Sequence, residues 1–186
     1  MTYHLNTSEL PAVVREQQKL RVGDRVLLSG TVYTARDAAH KRIVAAMQAG
    51  DPLPFDLQDA AIYFAGPTAA PPGRPIGACG PTTSGRMDPL SPLLLDEGLI
   101  AMIGKGERNQ AVCDAVVRNR AVYFCAVGGA GALAAAHITR CDVIAYPELG
   151  CESVKRLEFE DFPLLVTIDN HGGNLFTEGR ASFAAE

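Results

Sequence analysis

Between Cys79 and Met87 the sequence reads CGPTTSGRM, which brings glycines, hydroxyl side chains and an arginine into one short stretch. Gly80 and Gly85 allow backbone conformations that are closed to other residues. Thr82, Thr83 and Ser84 offer donors and acceptors, and the planar fork of Arg86 matches a carboxylate or a phosphate. Two other segments have the same character. Arg36 follows the apolar run TVYTA at the start of a helical stretch, with His40 one turn later on the same face. Helix N-termini attract anions through free N–H groups and the helix dipole, and Arg36 adds a full charge to that. Lys105 stands between two glycines in GKG, after an apolar run and before a helical one, where open backbone can present its ammonium to an anion. Two arginines, a lysine, a histidine and hydroxyls suit the grip of a small polyanion, above all one with two carboxylates. Neither a strong base nor a metal-ligand pattern accompanies them, so they amount to half an active site.

Each segment also has a plainer reading. Arg36 and His40 could be a surface arginine and a solvated histidine, and GKG a simple turn. The stretch around Arg86 is more specific, because a glycine turn has no need of an arginine and two threonines. Two motifs fail. GGAGALAA has the G-x-G-x-x-A spacing of a dinucleotide site, but Glu152, the acidic residue at the required distance, follows the loop-like YPELGC. GKG lacks the spacing of a P-loop. The cysteines at 79, 113, 125, 141 and 151 form no C-x-x-C pair, and four of them lie in apolar or helical segments. They read as buried free thiols, with no metal site in this chain.

Parallel sheets gather ligands at the carboxyl ends of their strands, so the elements around these segments matter. RVGDRVLLSGTVYTA predicts a turn and a strand, and the spacing of Ala39, Ile43, Ala46 and Met47 predicts a helix from Asp37 to Gly50. AIYFAG, LIAMI and AVYFCAV read as buried strands, with helices over Pro89–Glu97, after GKGERNQ and in the alanine-rich run after Gly129. The tail VKRLEFEDFPLLVTIDNHGGNLF reads as two strands with a loop at each end. Alternating strands and helices predict a parallel α/β sheet, and the β-rich ends predict extra, antiparallel strands.

The chain has 186 residues, 47% hydrophobic and 20% charged, which fits one folded domain with one sizeable core. A net charge of −4 gives no reason to expect nucleic-acid or membrane-surface partners. No apolar run approaches the roughly 18 residues that span a bilayer. MTYHLNTSELPAVVREQ has no basic region followed by an apolar one, so no signal peptide is expected. The odd number of scattered cysteines suits a reducing cytoplasm.

TARDAAHKR, GPTTSGRMD, MIGKG, GGAGALAA, YPELGCESV and EDFPLLVTIDNHGGNLF occur in the order in which they are found in class I iron–sulfur fumarases and L-tartrate dehydratases. The resemblance runs from about Leu20 to Phe176. It is to the C-terminal domain of single-chain fumarases, or to the separate β subunit of two-subunit enzymes. It implies a swivelling β/β/α three-layer domain over residues 1–186, with a parallel central sheet and a second, antiparallel sheet. The implied activity is that of a hydro-lyase, first a fumarate hydratase interconverting fumarate and L-malate. L-Tartrate and mesaconate are the alternative substrates, and a non-catalytic small-anion-binding module is the reading from another class. The resemblance further implies a [4Fe–4S] cluster held by cysteines of a partner α subunit, in a heterodimer or an α2β2 assembly, and activity only with that partner. Carried over residue by residue, it assigns Arg36, Arg86 and Lys105 to substrate carboxylates and Thr82, ahead of Thr83, to proton transfer. Thr82, Arg86 and Lys105 form the implied catalytic set, with His40 and Thr83 as further substrate-binding candidates. His171, in DNHGGNL, receives no role.

Overall fold

The computed structural model describes residues 1–183. Arg25–Thr34 forms β2, in which exposed or half-buried positions alternate with the buried Val26, Leu28, Val32 and Thr34, the period of a strand with one face on a core. β1, Thr2–Asn6, runs parallel beside its first half. The helical spacing after Arg36 gives α1, Asp37–Ala49, which buries Ala39, His40, Ile43 and Val44. Gly50 stops it in the left-handed region, at φ 71°, with its N–H donating to the carbonyls of Ala46 and Met47.

β3 (Ala61–Tyr63), β4 (Ala101–Gly104) and β5 (Val122–Cys125) are buried almost throughout, so they read as continuous apolar runs without alternation. Their successive side chains enter two separate apolar clusters. Tyr63, Ile103 and Phe124 pack with Val26 and Val32 of β2. Ile62, Met102 and Tyr123 pack with Ile43 of α1 and with residues of α2 (Ser91–Asp96) and α3 (Gln110–Arg118). β3 to β5 therefore pack α1, α2 and α3 against one face, while their other face meets side chains of β2, of Gly131–Ala136 and of Val154–Ile168. α4, Gly131–Ala136, follows β5, and α5, Leu175–Phe183, closes the described chain.

The remaining strands are β6 (Ile138–Ala145) and β7 (Val154–Ile168). The order is β1-β2-β3-β4-β5-β7-β6, seven strands among the described residues, with β1 to β5 parallel and β7 antiparallel to β5, β6 and β2. The expected parallel and antiparallel strands are thus both present, but hydrogen bonds join them into one sheet rather than two. The tail, expected as two strands, is one strand of 15 residues. It carries a bulge where Asp161 takes a left-handed conformation (φ 47°) and donates its N–H to Ser29 Oγ at 3.0 Å. Among the described residues no helix is long and apolar enough to cross a membrane.

Candidate functional site

Because β2 to β5 are parallel, their carboxyl ends share one edge of the sheet, and Arg36, Gly66, Lys105 and Gly128 lie in the segments that leave it. The stretch around Arg86 is threaded into that edge. Pro81 bridges to Ala65 beyond β3, Thr82 donates its N–H to the Phe64 carbonyl at 2.7 Å, and Thr83 bridges to Lys105 beyond β4. Ser84 then donates its N–H to the Lys105 carbonyl at 3.0 Å and accepts the Lys105 N–H on Oγ at the same distance. Gly104 makes this approach possible, because a methyl group there would collide with Ser84 Oγ and the Phe64 ring.

Beneath Lys105 the polar groups form a chain. Tyr123 Oη lies 2.8 Å from Ser84 Oγ and 2.9 Å from the Gly106 carbonyl. A carbonyl only accepts, so the single phenol proton goes to Gly106, and Ser84 donates to Tyr123. Burial drives the phenol far above its usual range and keeps it protonated. The GKG turn is therefore held at the Lys105 N–H, the Lys105 carbonyl and the Gly106 carbonyl, while the half-buried Lys105 side chain runs past Gly128. The Arg86 side chain is exposed on the 3-10 turn Ser84–Met87. Among the described residues neither Arg86 nor Lys105 has an ion-pair partner. Thr82 is half-buried and Thr83 exposed.

A buried clasp, not anticipated from the sequence, ties the two cationic loops together. The Arg108 guanidinium lies between the rings of Phe64 and Tyr123, 5.2 and 5.0 Å from their centroids. It donates to Asp88 Oδ1 at 2.6 Å and to Ser91 Oγ at 2.7 Å, while Asp88 Oδ2 accepts the Asn109 N–H at 2.7 Å. Breaking a buried pair by removing one partner costs about 3–5 kcal/mol, so the geometry between the Arg86 and Lys105 loops is firmly fixed.

Arg36 caps α1, and its Nη2 stands 3.2 Å from Glu152 Oε1. His40 does lie one turn on, but beneath the surface rather than on it. The residue is fully buried, packs edge-on to Phe64 at 5.3 Å, and donates Nδ1–H to the Arg36 carbonyl at 3.0 Å. Its Nε2 has no hydrogen-bond partner among the described residues, nor do Arg36 Nε and Asp37 Oδ1, which stand 4.0 Å apart as a long ion pair. Burial pushes the His40 pKa down from 6.5 to about 4, so the ring is neutral at neutral pH. The unfolded chain therefore binds a proton at His40 more readily than the folded one, and stability present above pH 6.5 drains away as the pH falls towards 4. That loss is worth about 3 kcal/mol by linkage. In urea unfolding, wild type should lose about that much more than His40→Gln between pH 7 and 4. Equal losses would contradict the assignment.

His171 lies away from this edge, because β7 is antiparallel to β5 and Ile168 pairs with Tyr123 near the start of β5. Asp169 organises its loop, accepting the N–H groups of His171, Gly173 and Val22 at 2.9, 3.0 and 2.9 Å. Of the cysteines, Cys79 is buried and Cys151 exposed, and among the described residues no three His, Cys, Asp or Glu side chains gather as a metal site.

The family model described as the fumarase C-terminus matches residues 2–179. A class I anaerobic fumarate hydratase of Escherichia coli K12 is 38% identical over 168 residues, 89% of this chain and 31% of that protein. Fumarate hydratase 2 of Leishmania major is 39% identical over 168 residues, again 89% of this chain, and 30% of its own length. The L(+)-tartrate dehydratase subunit beta of Escherichia coli K12 is 32% identical over 179 residues, 94% of this chain and 88% of that subunit. The chain thus spans less than a third of the fumarate hydratases it matches and nearly all of the tartrate dehydratase subunit.

Proposed function

We propose that this chain, which belongs to the fumarase C-terminus family, is the β subunit of a hydro-lyase and supplies the carboxylate clamp of its active site. The observation that carries this is the threading of Thr82, Thr83 and Arg86 into the sheet edge beside Lys105, where two cations stand without ion-pair partners among the described residues. Such unneutralised charges, carried on backbone that is held in place, suit a small dicarboxylate. The substrate is fumarate, hydrated reversibly to L-malate, because GPTTSGRMD and YPELG resemble the fumarase forms. L-Tartrate and mesaconate are the alternatives within the family. The likeness to a tartrate dehydratase subunit named beta supports a partner α subunit, in a heterodimer or α2β2 assembly in the cytoplasm. Residues 1–186 form one domain, and the apolar clusters on the two faces of β3 to β5 support a swivelling three-layer arrangement.

Among the described residues here no three His, Cys, Asp or Glu side chains gather to hold a [4Fe–4S] cluster, and the family resemblance implies one on cysteines of the α subunit. When bound there, it supplies a Lewis acid for the hydroxyl that leaves or enters. This chain's residues handle the rest. Loss of the carbon-bound proton beside a carboxylate of malate builds further negative charge on that carboxylate. Arg86 and Lys105 stabilise it more than the ground state, which is what lowers a barrier. Arg36 binds a carboxylate from the adjoining strand end, with His40 below supporting its backbone. Thr82 takes the carbon-bound proton once its hydroxyl has given up its own, and Thr83 lines the site. Fumarate, L-tartrate and mesaconate assayed side by side with the assembled subunits test this. The highest kcat/KM is expected for fumarate; a higher value for L-tartrate would reassign the substrate.

A further inference from the structure

We infer that Glu152 is a positioning residue that sets the guanidinium of Arg36 for anion binding. The inference rests on the role proposed above for Arg36. One carboxylate makes two contacts: Oε1 lies 3.2 Å from Arg36 Nη2, and Oε2 accepts the Ala38 N–H at 3.3 Å. It therefore ties the arginine side chain to the first turn of the helix that Arg36 caps. Arg36 is also close-packed against Gly66, where a methyl group would stand 3.2 Å from Arg36 Cδ, Arg36 Nη1 and the Cys151 carbonyl alike.

Glu152 is itself held from behind. The ammonium of Lys155, buried with its residue 7% exposed, reaches the carbonyls of Gly150, Cys151 and Ser153 at 3.3, 3.0 and 3.1 Å and Ser153 Oγ at 2.7 Å. An ammonium has three protons, so the loop on both sides of Glu152 saturates it. Lys155 orders the loop, the loop presents Glu152, and Glu152 fixes one edge of the Arg36 fork. A pre-set arginine loses less conformational freedom when it binds a carboxylate, which strengthens binding in ground and transition states alike.

The test uses the assembled enzyme with fumarate, comparing wild type, Glu152→Ala, Glu152→Gln and Arg36→Ala, with thermal unfolding recorded for each. Both Glu152 variants should raise KM about tenfold and leave kcat within about threefold, the pattern of lost uniform binding. Gln keeps the shape, but its amide nitrogen faces one of the two donors, so it should behave like Ala. Wild-type or lower KM in both Glu152 variants, beside an impaired Arg36→Ala, would overturn the role of Glu152 alone. Wild-type kinetics in Arg36→Ala would instead remove Arg36 from the site and with it the reading on which this inference stands.

Discussion

Arg86→Ala is expected to lower kcat/KM for fumarate hydration by about a hundred- to a thousandfold, the usual cost of removing one preorganised contact to developing charge. The side chain is exposed and has no ion-pair partner among the described residues, so its removal breaks no internal bridge. The backbone beneath it is held by other groups, through Ser84, Tyr123 and the Asp88–Arg108 clasp. The loss should therefore be one of function and leave the thermal midpoint nearly unchanged. Arg86→Lys keeps the charge but cannot form two parallel hydrogen bonds to one carboxylate, so it should recover little. If the contact tightens as charge builds on the substrate, kcat falls together with kcat/KM. A rise in KM alone would mean binding in the ground state only.

Thr82→Val should lower kcat by about a hundred- to ten-thousandfold, the range for a positioned proton-transfer group, with a much smaller change in KM. Valine has the shape of threonine, and the backbone of this residue is fixed by its N–H to the Phe64 carbonyl at 2.7 Å, so the variant isolates the hydroxyl. Thr82→Ser retains that hydroxyl and should keep much of the rate. Thr83→Val, one position along and more exposed, is the control and should change kcat far less. Equal effects at both threonines would argue for general polarity of the loop rather than a proton carrier at Thr82.

The parts of this site that were legible in the sequence are those written in local pattern. An alternating, β-branched stretch gave β2 and buried apolar runs gave β3 to β5, Gly50 gave the end of α1, and glycines beside Arg86 and Lys105 gave loops at strand ends. Contacts between distant segments left no such trace. Asp88 and Arg108 look like any two surface charges until the fold brings the segment after Arg86 against the residues that lead into α3. Glu152 belongs to no motif, and it acquires a partner because the segment from Pro147 to Glu152 folds against α1. β6 shows little apolar alternation because it pairs only with β7 and exposes or half-exposes most of its residues, and β1 is short, with only Leu5 buried. The bulge at Asp161 imitates a strand boundary while hydrogen bonding continues through it.

The central claim is that this chain carries one half of a hydro-lyase site. Fumarate hydration measured anaerobically for the chain alone, for a cluster-bearing α subunit alone and for the two combined tests it most directly. Activity is predicted only in the combination, and it should be lost when the chain carries Arg86→Ala. Hydration by the chain alone at the rate of the combination, with [4Fe–4S] absorption that vanishes when its own cysteines become serines, would contradict it.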